Sequence, residues 1–111
     1  MNFRKLEVYQ KAIRVFTLGA EAGRELPPGH GEIRDQLRRA SLSIPLNIAE
    51  ASGKTQPADQ RRFFAFARGS AMECAALVDA CRSLEVVGAS LLDQLDENLL
   101  SLVRMLSKLA R

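Results

Sequence analysis

The chain has 111 residues, 47% of them hydrophobic and 26% charged, with 16 Lys and Arg against 13 Asp and Glu and a formal net charge of +3. That balance describes one ordered domain, residues 1–111, with a small core, and excludes a disordered or fibrous chain. The longest uncharged run, Ala40 to Ala49, is far shorter than the roughly 20 residues that span a bilayer. Arg4, Lys5 and Glu7 stand where a signal peptide needs its apolar region, and two cysteines do not build a disulfide scaffold. A cytoplasmic protein with no membrane partner is expected.

Period and punctuation predict four helices. In the first, Phe3 to Glu25, residues Leu6, Tyr9, Ile13, Phe16 and Ala20 recur at intervals of three and four, and Leu-Pro-Pro-Gly-His-Gly stops it. The second runs from Glu32 to Gly53. The third starts after Thr55 as a cap, tolerates Pro57 in its first turn and extends to Val87. Its expected seam is Phe63, Ala67, Ser70, Cys74, Leu77, Cys81 and Leu84. Gly88 ends it, and Ser90 with Asp93 resembles a capping box for the fourth helix, whose seam is Leu92, Leu95, Leu99, Leu102, Leu106 and Leu109. Short connections favour antiparallel neighbours, so the predicted fold is all-α, an antiparallel up-down-up-down four-helix bundle.

The second helix carries an anomaly. Its period continues through Pro45, which has no backbone N–H and crowds the carbonyl four residues earlier, so the helix is expected to bend or split there. Its apolar residues also fall on two sides. Ile33, Leu37, Ile44 and Ile48 form one stripe; Leu42, Leu46 and Ala49 lie almost opposite. With Phe66 outside the seam of the third helix and Leu100 and Val103 outside that of the fourth, more apolar surface exists than one bundle can bury, which predicts a homo-oligomer. Gly69, Ser70 and Ala71 place small residues mid-helix, where close approach of another backbone would explain them.

Charge is uneven along the chain. Residues 34 to 68 hold seven basic and three acidic side chains, residues 69 to 103 one basic and six acidic, and twelve of the sixteen basic residues are arginine, the side chain suited to multidentate phosphate contact. Arg34, Arg38, Lys54, Arg61, Arg62 and Arg68 are the candidate nucleic-acid contacts. Arg39 points about 100° from Arg38 and fits an ion pair, with Asp35 or across a subunit boundary. It joins Leu42, Leu46, Ala49 and Phe66 as a candidate interface residue. Gln36, Ser43, Asn47, Glu50 and Lys54 share a narrow polar line that either satisfies the carbonyl freed by Pro45, pairs across an interface, or faces water.

Gln36-Leu-Arg-Arg-Ala-Ser-Leu-Ser-Ile-Pro-Leu-Asn-Ile-Ala-Glu50, with Tyr9-Gln-Lys-Ala12, Arg62-Phe-Phe64 and Ala67-Arg-Gly-Ser-Ala-Met-Glu73, resembles the four-helix-bundle family encoded within 23S ribosomal RNA intervening sequences. The resemblance spans nearly the whole chain. That family includes the accessory protein of diversity-generating retroelements, and the resemblance implies a homopentameric barrel whose basic surface binds RNA or DNA and a reverse transcriptase. The chain departs from the pattern where members show Ala-Glu-Gly and this sequence has Ala49-Glu50-Ala51, and at Pro57; neither departure touches the arginines.

Catalysis is not expected. The single histidine, His30, lies in a Pro/Gly loop, which leaves no Glu-x-x-His metal pair and no Ser-His-acid arrangement. There is no phosphate-binding glycine loop and no nucleotide fingerprint, so neither metal nor cofactor is called for. Two functional classes follow: a nucleic-acid-binding accessory oligomer, and a protein-interaction scaffold of the same fold that binds no nucleic acid.

Overall fold

Apolar residues at alternating intervals of three and four give each segment one face to bury. In a computed structural model, which describes residues 2–111, they form α1 (Glu7–Glu25), α2 (Gly31–Gly53), α3 (Pro57–Leu84) and α4 (Ala89–Leu109), preceded by a 3-10 turn at Phe3–Lys5. Each helix packs against the next and α4 returns to α1, while the backbones of the diagonal pairs stay apart. The result is a rod of 44 × 22 × 21 Å, its length set by the 28 residues of α3 at about 1.5 Å each.

Contacts along the rod run in opposite senses on neighbouring helices. Gly19 faces Ser41 and Leu37, whereas Gly23, further along α1, faces Arg34, nearer the start of α2. Ser43 bonds Ser70 while Lys54 sits over the Phe63 ring. Arg68 bonds Ser107 while Arg82 reaches Asp93. The helices are therefore antiparallel in sequence, as short connections require. Helices α1 and α2 approach closely at Gly19, where a Cβ would lie in van der Waals contact with the Ser41 hydroxyl oxygen at 3.4 Å.

The core is a single cluster, with Leu18, Leu37, Ile44, Ile48, Leu92, Leu95, Leu99, Leu102 and Leu106 fully buried. The predicted seam of α4 is buried except for Leu109, which is exposed at the last turn of the helix. In α3 the seam is rotated from the expected one: Phe64, Ala67, Ala71, Cys74, Val78 and Cys81 are buried, while Phe63, Ser70 and Leu77 are only half-buried and Leu84 is exposed. Two registers of the same three-four alternation run side by side on this Ala-rich helix, and small residues make them indistinguishable by hydropathy alone.

Pro45 does not split α2. It is buried within an uninterrupted helix. The polar line beside it serves the α2–α3 seam: the Ser43 and Ser70 hydroxyls bond at 2.8 Å, and Asn47 Nδ2 donates to the Ser43 carbonyl and hydroxyl. None of these bonds reaches the Ser41 carbonyl that Pro45 frees, and Gln36 faces solvent.

Helix ends also differ from the expectation. Gln56 rather than Thr55 precedes α3. Gly88 precedes α4 and donates its N–H to Glu25 Oε1 at 2.8 Å, and Asp93, expected to cap, instead engages Arg82. α3 stops at Leu84 because Glu85 takes the left-handed conformation, φ 58° and ψ 33°. A side chain there costs on the order of 1 kcal/mol that glycine avoids. Glu85→Gly is expected to raise Tm by about 4 °C in a thermal melt.

Cys74 and Cys81 are buried and unbridged. Burial pushes the Cys74 thiol up to about 12, with the Glu73 charge adding to it, and burial alone raises Cys81. A proton held more tightly in the folded state favours folding fully below the unfolded value near 9, and that advantage is lost as pH rises from 9 towards 12. Stability is therefore expected to fall above pH 9, more steeply in wild type than in Cys74→Ala, as urea midpoints at a series of pH values will show. Neither thiol should react with a thiol reagent until the chain unfolds.

Candidate nucleic-acid interface

Folding redistributes the six candidate cations. Arg34 lies where α1 ends and α2 begins, whereas Lys54 lies on the same helix 20 residues later, about 30 Å away at 1.5 Å per residue. Arg61, Arg62 and Arg68 stand on the Lys54 side, since α3 starts where α2 ends. Arg38 stays with Arg34. The six do not form one patch within the chain.

Arg34 is also committed. Its Nε donates to the Gly23 carbonyl at 2.9 Å and one terminal nitrogen to the Leu26 carbonyl at 2.7 Å. These oxygens belong to the C-terminal end of α1, where a helix leaves carbonyls unpaired and its dipole favours a cation. Gly23 makes room, because a Cβ there would meet Arg34 Cγ at 3.3 Å. Arg34, expected as a phosphate contact, is thus engaged in closing α1.

The others remain at the surface with lighter ties. Lys54 pairs with Glu50 at 3.3 Å and covers the Phe63 ring. Arg62 lies 3.8 Å from Asp59 and over the same ring. Arg68 Nε donates to the Ser107 hydroxyl at 2.7 Å. Arg38 and Arg61 are exposed, and among the described residues neither guanidinium has a hydrogen-bond or ion-pair partner. Pairs this exposed contribute little to stability and leave the cations available. Phe64 is core, and Phe63 is half-buried against it.

A larger pattern appears when every helix is divided at its midpoint. The half of the rod holding the start of α1, the α2–α3 turn and the end of α4 (residues 2–16, 42–70 and 100–111) carries eleven of the sixteen Lys and Arg and only Glu7, Glu50 and Asp59 among the acids, a net +8. The opposite half carries Arg24, Arg34, Arg38, Arg39 and Arg82 against ten acids, a net −5. Antiparallel packing brings Arg4, Lys5, Lys108 and Arg111 to the end already holding Lys54, Arg61 and Arg62. Sequence reasoning missed these terminal cations, because basic residues far apart in the chain signal nothing until the helices are paired.

The candidate interface residues behave differently. Leu42, Leu46 (59% exposed) and Phe66 (50%) are open to solvent, and Ala49 is half-buried. Arg39 makes no ion pair with Asp35 among the described residues, so the local alternative for it is not realised. Glu50 and Glu73 are both exposed. Among the described residues no cluster of His, Cys, Asp or Glu could hold a metal ion, and no helix is long and apolar enough to cross a membrane.

A family model described as 23S rRNA-intervening sequence protein matches residues 4–108, which takes in all four helices. The chain belongs to this family. Like this 23S rRNA-intervening sequence protein, a solved protein of unknown function from the S23 ribosomal protein family of Bacteroides thetaiotaomicron VPI-5482 is built on the same fold. The two superpose with a TM-score of 0.84 over 94% of this chain and 98% of that one, at 18% sequence identity. At that identity the likeness extends to the fold alone. No curated protein matches.

Proposed function

We propose that this protein is a non-catalytic, self-associating helical bundle whose basic end binds the phosphates of RNA or DNA. The segregation of charge along the rod carries the reading: a net +8 gathered at one end of a 12.2 kDa chain is a field that attracts a polyanion and costs stability when left unneutralised. Lys54, Arg61, Arg62 and Arg68 are the proposed contacts, joined by the cations at the start of α1 and the end of α4. Arg38 is set aside, because it lies in the acidic half. Phe66, 50% exposed, is the one open aromatic ring at this end among the described residues, too little for a run of stacked bases, which favours backbone contact of low sequence preference. Family resemblance extends the proposal to a pentameric assembly acting as an accessory factor to RNA or to a reverse transcriptase.

Titration of the protein against structured RNA and duplex DNA at two salt concentrations tests it. Binding that weakens steeply with salt is expected. A protein-interaction scaffold would show no binding at low salt, and that result would remove the nucleic-acid reading.

A further inference from the structure

Two apolar features of opposite shape are left without partners inside the chain. One is a ridge on the outer side of α2, where Leu42 and Leu46 project with Arg39 one turn before them. The other is an open groove of about 300 Å³ between α3 and α4, lined by Met72, Ala75, Leu99, Leu100 and Val103, with Asp96 at its start. Leu46 is 59% exposed and Leu100 55%. Water at both places costs free energy that burial would recover.

The two features match in spacing and charge. From Arg39 to Leu46 is seven residues, as is the step from Asp96 to Val103, so both strips extend about 10 Å. Arg39 has no acidic partner in its own chain among the described residues. Asp96 shares Arg82 with Asp93, each at 2.8 Å, and Glu97 lines the same open pocket without an ion-pair partner among the described residues, so three carboxylates stand near one guanidinium that pairs with two of them. The ridge therefore ends in an unpaired cation and the groove in surplus negative charge.

We propose that the α2 ridge of one copy of this chain seats in the α3–α4 groove of a second copy, with Arg39 directed at Asp96 and Glu97. This rests on the self-association proposed above and specifies its surfaces. Because ridge and groove are different surfaces, the contact is heterologous, and repetition closes a ring or grows a filament. The copies also point the same way. Arg39 is level with Gly19, which faces Leu37 and Ser41, and the Glu25–Gly88 bond places that level of α1 close to Asp96 on α4. Every basic end then lies on one side of the assembly, where the repulsion between them is relieved by a bound polyanion. Assembly and polyanion binding strengthen each other reciprocally.

Light scattering on Leu46→Glu and Leu100→Glu, alone and mixed, tests the surfaces. Both leucines are more than half exposed, so circular dichroism should stay that of the wild type. Wild type is expected to assemble at micromolar concentration, and each variant to be monomeric, its association weakened at least about a hundredfold by a carboxylate forced into an apolar contact. A mixture of the two keeps one intact groove and one intact ridge, so it should yield a one-to-one dimer and nothing larger. Leu100→Glu assembling like wild type, or the mixture staying monomeric, would overturn the ridge-in-groove contact while leaving self-association standing. A monomeric wild type would remove both.

Discussion

Reversing Arg61 and Arg62 together to glutamate is expected to weaken nucleic-acid binding by about a hundredfold at 0.1 M salt. The pair lies in the half of the rod with a net +8 and changes it by four charges, to +4. Little in the fold depends on either side chain: Arg62 reaches Asp59 only at 3.8 Å, with both groups well exposed, and Arg61 is solvated. Circular dichroism and the urea midpoint should barely change. Fluorescence anisotropy with a labelled oligonucleotide at 50 and 200 mM salt, concentrations on either side of the screening range, separates the effect from misfolding. The slope of log K against log salt should flatten by about two, one for each lost phosphate contact. The same reversal at Arg24 and Arg38, in the half with a net −5, should change affinity less than about threefold, a screened long-range effect only. Equal losses from the two pairs would mean that net charge alone, rather than its placement, governs binding.

Arg34→Ala is expected to cost about 2–3 kcal/mol of folding stability, the largest loss from any arginine of the chain. Its guanidinium spans two carbonyls, those of Gly23 and Leu26, and removing it leaves both without that donor where α1 meets α2. A chain of this size should lose about 10 °C in Tm. Arg34→Lys is the more telling variant. A phosphate contact would tolerate lysine, whereas a single ammonium cannot reproduce a fork across two carbonyls, so lysine should recover less than half of the loss. Retention of full stability in Arg34→Ala, measured by urea denaturation, would return Arg34 to the list of free surface cations.

Helix number, order and approximate bounds were legible in the sequence because they follow from local rules: apolar period, proline and glycine punctuation, and connections too short to allow anything but antiparallel neighbours. The α4 leucine seam was read almost residue for residue, since leucine at every third and fourth place leaves no second register. The α3 seam was read correctly at Ala67, Cys74 and Cys81 and one step off at Phe63, Ser70 and Leu77. There the choice lay between Phe63 and Phe64, and between Ser70 and Ala71, and only the assembled core selected Phe64 and Ala71 for burial. Helix ends were the least legible, because Asp93 had two uses and the arginine on the preceding helix claimed it.

The second apolar stripe of α2 was visible from its helical period alone, and the structure places it on the outside as that period requires. Its complement was not visible. Met72, Leu100 and Val103 belong to two helices, and a groove exists only once those helices are side by side.

By itself, then, the sequence determined the helices, the buried seam of α4 and the surplus of apolar surface, all of which depend on residues within one or two turns of each other. The stripe expected on α1, Leu6, Tyr9, Ile13, Phe16 and Ala20, is not the buried one, which is Val8, Ala12, Val15, Leu18 and Ala22. Tertiary structure decided which arginines stand together and which are consumed. Arg34, Arg38 and Arg39 fall together at the acidic end, while Arg4, Lys5, Lys108 and Arg111, at the two extremes of the chain, join Arg61 and Arg62. Electrostatic fields sum over distance in space, and four antiparallel helices fold the chain's separate basic segments onto one end of a rod.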